Sequence, residues 1–421
     1  MVKLGSKRSD LGYYYAAGNI SDYAHSDQYL VVMKMDAFGD LNEWIVIDIG
    51  DSLTVTGLDE WDEGVLVSGY YGATPGEPRA FAVFLDYDLA DVYWARDYVP
   101  TGYLHSWFGS METFIYEGEE RAILGGTVLK DSTQVDFDYW IAHINPDGGI
   151  ELSLVFEEPG VTWEAVNAVA WDSFSRTSAF SGTRLGASGY KQLVVGYRLP
   201  CGGVMGGHFL PNNPGDDYVE QMKVVDKKKY IIIGSKDNHS VSRGYDMMYT
   251  LYDGGDTSNI YHWFYGERGD IDDFAEGFAT LDKGNLVIVG RTYNGLNPPQ
   301  GAVIVVGPDG SPPTDFGQYE AGASDYFNSV SPSLLDDTSF FVTGNTLSYD
   351  LGTPFNPGWA LSLDEFGNGA ACIHWWVQVY DDDMEPDGVA FGMPVEQPFM
   401  EAREVEYTVF YEDFKKAPVC P

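Results

Sequence analysis

NLVIVG (285–290) is an aliphatic, β-branched run that stops at a glycine, and the same phrase returns along the chain. The other copies are YYYAAG (13–18), GVLVSG (64–69), RAILG (121–125), TSAFSG (177–182), YIIIG (230–234) and FFVTG (340–344). Their closing glycines stand 51, 56, 57, 52, 56 and 54 residues apart. A fixed period of this length signals a repeat architecture in which each unit needs its neighbours to bury its apolar faces. Short apolar runs bounded by turn residues read as strands rather than helices.

The segments around each copy recur in a constant order. An alternating strand follows: YLVVMKMD (29–36), AFAVFLDYD (80–88), YWIAHINPDG (139–148), QLVVGYRLPCG (192–202), DMMYTLYDGG (246–255), GAVIVVGPDG (301–310) and GWALSLDEFG (358–367). It runs into a turn rich in Asp, Gly, Pro or Asn. A second strand leaves the turn, as in LNEWIV (41–46), DVYWAR (91–96), IELSLVF (150–156), YHWFY (261–265) and CIHWWVQV (372–379). Trp44, Trp94, Trp263 and Trp375 recur in these strands, and large aromatic faces suit the space between packed sheets. The next segment sets an aromatic beside a polar or acidic group: HSWFGSM (105–111), VTWEAV (161–166), DDYVEQM (216–222), DDFAEGF (272–278) and SDYFNSV (324–330).

Each module thus offers about four antiparallel strands, and seven modules predict an all-β, seven-bladed β-propeller over residues 1–392. Residues 393–421 form a strand-containing extension, packed on the propeller or used in assembly. Closure is expected by the N-terminal phrase (13–18) completing the sheet begun by residues 358–392, which would remove an exposed edge. The run EVEYTVFYE in the extension is a rival for that place. Loops 70–79, 97–104, 205–216 and 293–300 are expected to elaborate one face.

Several of these stretches match a known pattern. LDEFGNGAACIHWW (363–376), LDKGNLVIVGRT (281–292), MKMDAFGDLNEW (33–44) and INPDGGIELSL (144–154) resemble D-x-x-G-N-x-x-W followed by D-G-x-x-x-x-G-x-T. Residues 12–392 accordingly resemble the bacterial and archaeal β-propeller repeat proteins. The resemblance implies a surface, extracellular or structural role without an assigned catalytic residue. The chain departs from the pattern at Leu199–Gly203, where Pro-Cys-Gly-Gly replaces an Asp-containing turn.

Composition narrows the function classes. With 24 Lys+Arg against 64 Asp+Glu, the formal net charge is -40. Such a surface repels nucleic-acid phosphates and anionic membranes, and it suits divalent cations or basic partners. No run approaches eighteen apolar residues, so no membrane insertion is expected. MVKLGSKRSDLG, at the start, is basic without an apolar stretch, so no ordinary secretory signal is visible. An extracellular-surface or virion-associated location is favoured, with a cytoplasmic one left open. Cys201, Cys372 and Cys420 are too few for a disulfide scaffold, and pairing of Cys201 with Cys420 is left open. Seven histidines show no zinc-ligand spacing, and no G-x-S-x-G elbow is present.

The acidic segments carry the remaining chemistry. Asp216, Asp217 and Glu220 recur as Asp272, Asp273 and Glu276, and Asp325 with Asn328 follows the same arrangement. Equivalent positions on adjacent blades converge, so Asp217, Glu220, Asp273, Glu276 and Asp325 are expected either to hold Ca²⁺ or to tighten turns by accepting backbone N–H groups. Asp381, Asp382, Asp383 and Glu385 are a weaker addition to that rim. Tyr70, Tyr71, Tyr103, Trp107 and Tyr293 are expected on loop surfaces, where amphipathic rings suit a protein or glycan partner. The chain reads as a non-catalytic structural or binding module presenting loops and an acidic rim, with oligomeric assembly through the tail. The alternative is a carbohydrate-active hydrolase or lyase using carboxylates such as Asp217, Asp273 and Glu276.

Overall fold

The computed structural model describes most of residues 5–410, several strands (among them all those beyond residue 372) as backbone alone. Outside the description lie 1–4, 411–421 and connecting segments, the longer being 22–27, 73–77, 157–160, 199–204, 210–214, 238–243, 255–260, 267–270, 294–297, 308–314, 320–323, 347–357, 365–372 and 381–388. Among the described residues every regular element is a strand.

The strands form seven antiparallel sheets among the described residues, each built on consecutive strands of the chain, and six of them gain one further strand from beyond residue 372. Sheet one holds Gly5–Arg8, Tyr14–Ser21, Gln28–Met35 and Leu41–Asp48; sheet two holds Thr54–Trp61, Gly64–Gly72, Pro78–Asp86 and Val92–Pro100. Sheet three holds His105–Tyr116, Glu119–Asp131, Gln134–Ile144 and Ile150–Phe156. Sheet four holds Glu164–Asp172, Thr177–Leu185, Lys191–Arg198 and Met205–Phe209. Sheet five holds Asp217–Asp226, Lys229–Asp237, Tyr245–Asp253 and Tyr261–Gly266. Sheet six holds Asp272–Thr280, Leu286–Tyr293, Gln300–Val306 and Asp315–Tyr319. Sheet seven has three strands, Asp325–Pro332, Phe340–Thr346 and Gly358–Leu363.

The repeated apolar phrase is the second strand of each sheet, and its unbroken hydrophobicity has a packing cause. Alternate side chains of a strand point to opposite faces. In NLVIVG, Leu286 and Ile288 join the cluster shared with sheet five. Val287 and Val289 join the one shared with sheet seven. Both faces are buried, so no polar alternation survives. Among the described residues seven such clusters occur, each filling one boundary between neighbouring sheets. The packing order is cyclic. Asp325–Pro332 of sheet seven contacts Gly5–Arg8 of sheet one. Tyr14 stacks on Phe341 at 4.2 Å across that boundary, and its hydroxyl accepts the Leu334 N–H at 2.7 Å. Seven sheets in cyclic contact are a propeller-like arrangement.

Trp94 shows what the recurring tryptophans do. It is buried beside Trp61 and Phe84 and donates its indole N–H to the Pro146 carbonyl of sheet three, 2.9 Å away. Trp44 is half-buried, and the side chains of Trp263 and Trp375 lie outside the described residues.

The expected completion of the last sheet by the N-terminal phrase does not occur. Tyr14–Ser21 pairs with Gly5–Arg8 and Gln28–Met35 inside sheet one, so it is not available to complete the last sheet. The missed element is Gly5–Arg8, a polar stretch that supplies sheet one with its own inner strand. The segment 372–379 was expected to pair with the strand at 358; instead Ile373–His374 pairs with sheet six and Gln378–Tyr380 with sheet five. The tail therefore begins before residue 393. Val389–Met393, Val395–Glu396, Met400–Glu404 and Thr408–Phe410 add to sheets four, three, two and one in turn. The expected loops 97–104 and 205–216 are partly strand, at Val92–Pro100 and Met205–Phe209.

Candidate functional site

The innermost strands of six sheets share one irregularity. Each carries an extra residue, at Thr56, Gly109, Asn167, Glu220, Glu276 and Asn328, and sheet five has a second at Val225. Such a bulge bends the strand and breaks the ladder locally. Beside it stands the glycine of the repeated phrase. A Cβ on Gly290 would lie 1.8 Å from the Phe274 carbonyl oxygen, and one on Gly234 1.9 Å from that of Tyr218. Gly69 and Gly182 meet the same obstacle. In sheet three the role falls to Gly126 rather than Gly125. At Gly69, Gly126, Gly182, Gly234 and Gly290 the glycine is thus the imprint of the bulge. Neighbouring bulges also abut: Thr56 Oγ1 donates to the Phe108 carbonyl at 2.8 Å, and a Cβ on Gly109 would stand 2.7 Å from that of Val166.

The acidic residues sit where the inner strands begin. Asp216 Oδ1 accepts the Lys191 N–H at 2.8 Å, and Asp272 Oδ1 accepts the Tyr245 N–H at 3.0 Å. Asp217 Oδ2 accepts the Leu193 N–H at 3.2 Å, while its Oδ1 holds the buried Lys236 ammonium. In every case the donor, where it is backbone, lies within the first three residues of the third strand of the preceding sheet. Ser106 fills the same position in sheet three, accepting from Ala80 N–H at 3.0 Å and donating to the Tyr98 carbonyl at 2.6 Å. These groups act as clamps between sheets.

Burial pushes the Asp217 carboxyl above its ordinary value, against the opposing pull of Lys236 and the Leu193 N–H. Asp273 and Asp325 are fully buried at the equivalent positions. Glu220 and Glu276 are half-buried bulge residues, and Glu276 Oε1 lies 3.5 Å from Arg291 Nε. No group of three His, Cys, Asp or Glu suited to a metal ion occurs among the described residues. Asp381, Asp382, Asp383, Glu385 and the three cysteines lie outside them.

The same end of the sheets carries a line of aromatic rings and cations. Lys191 Nζ lies 4.7 Å from the Trp163 ring and 4.3 Å from that of Tyr218. Tyr218 meets Tyr245 at 5.7 Å, and Tyr245 meets Phe274 at 4.9 Å. Arg291 lies over Phe274 at 4.9 Å and Tyr326 at 5.8 Å. The line crosses sheets four to seven. Of its members only Tyr326 is buried; the others are half-buried. Burial, Tyr218 and nearby carboxylates raise the Tyr245 phenol above its usual value, so it stays a neutral donor. Its sequence signal was the aromatic that follows the acid at Tyr218, Phe274 and Tyr326, and the cations between had none.

Tyr70, Trp107 and Tyr293 lie at this end too, since Tyr70 pairs with Thr54, Trp107 is near the start of its strand and Tyr293 pairs with Asp272. Tyr70 and Trp107 are half-buried, and Tyr293 is 38% exposed. Tyr71 and Tyr103 were expected on loop surfaces, but each is only 8% exposed and packs into a core cluster. Their chain segments are a strand end and a tight turn, which turn the rings inward.

No protein-family model matches the chain, and no curated protein matches it significantly in sequence. The resemblance to propeller repeats therefore rests on the quoted motifs.

Proposed function

We propose that the chain is a seven-bladed β-propeller serving as a non-catalytic binding module, with the aromatic line as its ligand-contacting surface and a glycan as its ligand. The observation that carries this reading is the continuous run Trp163, Lys191, Tyr218, Tyr245, Phe274, Arg291 and Tyr326. Half-buried rings held by their neighbours offer apolar faces at low entropic cost, with polar tips alongside. Sugar rings present C–H faces and hydroxyls, the complementary pair. The carboxylates at this end are engaged in clamping strands, which favours binding over acid–base chemistry. The net charge of -40 favours a neutral over an acidic glycan. A place on a cell surface or in a virion fits such a module.

The test is calorimetric titration of neutral oligosaccharides into the wild type and into Trp163→Ala and Tyr218→Ala. Each lost ring is expected to weaken binding by about 2- to 10-fold, from roughly 0.5–1.5 kcal/mol per aromatic contact. Unchanged binding in both variants would refute the surface. Cleaved sugar in the cell would refute the non-catalytic reading, and capture of a protein ligand alone would refute the glycan.

A further inference from the structure

The rings of the aromatic line occupy a fixed place in the repeat. Two residues before the bulge, the inner strand carries Trp107 in sheet three, Tyr218 in sheet five, Phe274 in sheet six and Tyr326 in sheet seven. Sheet four has Ala165 there, and Trp163, two residues earlier and so on the same side of the extended chain, supplies the ring. Sheet two has Thr54 at this position, which breaks the series.

The line continues onto sheet three. Trp107 lies 5.6 Å from Phe137, and Phe137 forms a parallel bridge with Trp163, which joins sheet three to sheet four. Both added rings are half-buried. Five consecutive sheets thus share one line at one end of the fold. From Trp163 to Tyr326 the ring-to-ring and cation-to-ring steps run from 4.3 to 5.8 Å, comparable with one pyranose unit along an extended chain. Lys191 and Arg291 stand between rings of neighbouring sheets and bring N–H donors into the spaces between platforms. Leu185, whose N–H donates to the Trp163 carbonyl, is exposed, and so is Tyr190 beside Lys191. Tyr293, two residues from Arg291 on the same face of its strand, is exposed as well.

We infer that the site takes an internal stretch of a linear neutral glycan, laid along the line across sheets three to seven, with successive sugar units on successive rings. The inference rests on the glycan reading above and adds the form of the ligand. A repeated surface offers equivalent contacts to a repeated ligand, and each contact after the first is intramolecular, so affinity accumulates along the chain. Recognition of a single terminal sugar would instead need a concave pocket with convergent polar groups. The carboxylates Asp216, Asp217 and Asp272 at this end are turned to main-chain N–H groups and hold sheets together.

The test is calorimetric titration of the full chain with the disaccharide and the hexasaccharide of the cello-, malto- and laminari-oligosaccharide series. In the recognised series the hexasaccharide is expected to bind about tenfold tighter or more, since each further ring contact contributes about 2- to 10-fold. Trp107→Ala on sheet three and Phe274→Ala on sheet six are each expected to weaken the hexasaccharide by about 2- to 10-fold, with at most one of them weakening the disaccharide. A disaccharide that binds as tightly as the hexasaccharide would overturn the extended-chain inference and leave the glycan reading standing. Weakening of the hexasaccharide in Phe274→Ala but not in Trp107→Ala would remove sheet three from the line and refute the span. Equal weakening of the disaccharide by both variants would also refute it, because the rings would then act through the fold. If no sugar of either length binds, the inference and the glycan reading fall together. The comparison of lengths needs only the wild type, so it decides even where a variant does not fold.

Discussion

Replacing Gly290 by alanine tests whether the repeated glycine is an imprint of the bulge. The new Cβ would stand 1.8 Å from the Phe274 carbonyl oxygen, where ordinary contact begins near 3.4 Å. No rotamer relieves a clash of Cβ with main chain, so the two strands must part by most of the difference. Paired strands lie about 4.8 Å apart, and opening them by a third disrupts the ladder beside the bulge. About two buried main-chain hydrogen bonds are lost or stretched, at roughly 1–1.5 kcal/mol each. Core packing of Val289 and Ala275, both buried, loosens as well. The expected cost is about 3 kcal/mol, at the upper end for overpacking. Gly149→Ala is the control, because its nearest neighbour is the side-chain oxygen of Asn145 at 3.1 Å, which can move. Its cost should stay under about 1 kcal/mol. The assay is urea unfolding followed by tryptophan fluorescence, read as a midpoint shift at constant slope. If both variants unfold within about 0.5 kcal/mol of each other, the glycine is not held by the carbonyl and the reasoning fails.

Asp217→Asn should destabilise the fold by about 3–5 kcal/mol, since it leaves the buried Lys236 ammonium without a carboxylate. The double change Asp217→Leu with Lys236→Met should recover most of that, and a cycle showing simple additivity would contradict the pairing. Ser106→Ala should lower stability by about 1–3 kcal/mol in thermal unfolding, because the buried Ala80 N–H loses its acceptor. Alkaline titration should reveal buried phenols. Burial and Asp97 push Tyr71 up to about 12, and Tyr15, Tyr87 and Tyr245 are raised as well, chiefly by burial. A folded-state value above the unfolded one means stability that is complete below pH 10 and lost as pH rises from there through about 12. The urea midpoint should fall over that window, and Tyr71→Phe should make the fall shallower; a flat profile would show that these rings are solvated.

Much of the strand order was legible in local composition. YIIIG and NLVIVG are too apolar for half-exposed strands, and Ile231, Ile232 and Ile233 do feed two different interfaces. The DDY and DDF segments announced both an acid and an aromatic at one end. What the carboxylates do there was not legible, because their partners are main-chain N–H groups 24–27 residues away. Backbone donors carry no signature in sequence. Tyr71 and Tyr103 looked like loop aromatics because exposure depends on the direction in which a strand end or turn points a ring. Gly5–Arg8 escaped notice because a short polar strand has no hydrophobic pattern, and inner-strand membership comes from its neighbours.

The sequence by itself determined the number of modules, the strand character of each and the positions of the close-packed glycines. These properties follow from period, side-chain alternation and the absence of a Cβ, all local quantities. Tertiary structure alone decided the contact between sheets seven and one, the reversed course of the tail and the gathering of Trp163, Lys191, Tyr218, Tyr245, Phe274, Arg291 and Tyr326 into one line. Sheet edges accept strands through main-chain groups common to every residue, so which segment pairs with which edge is set by geometry and reach.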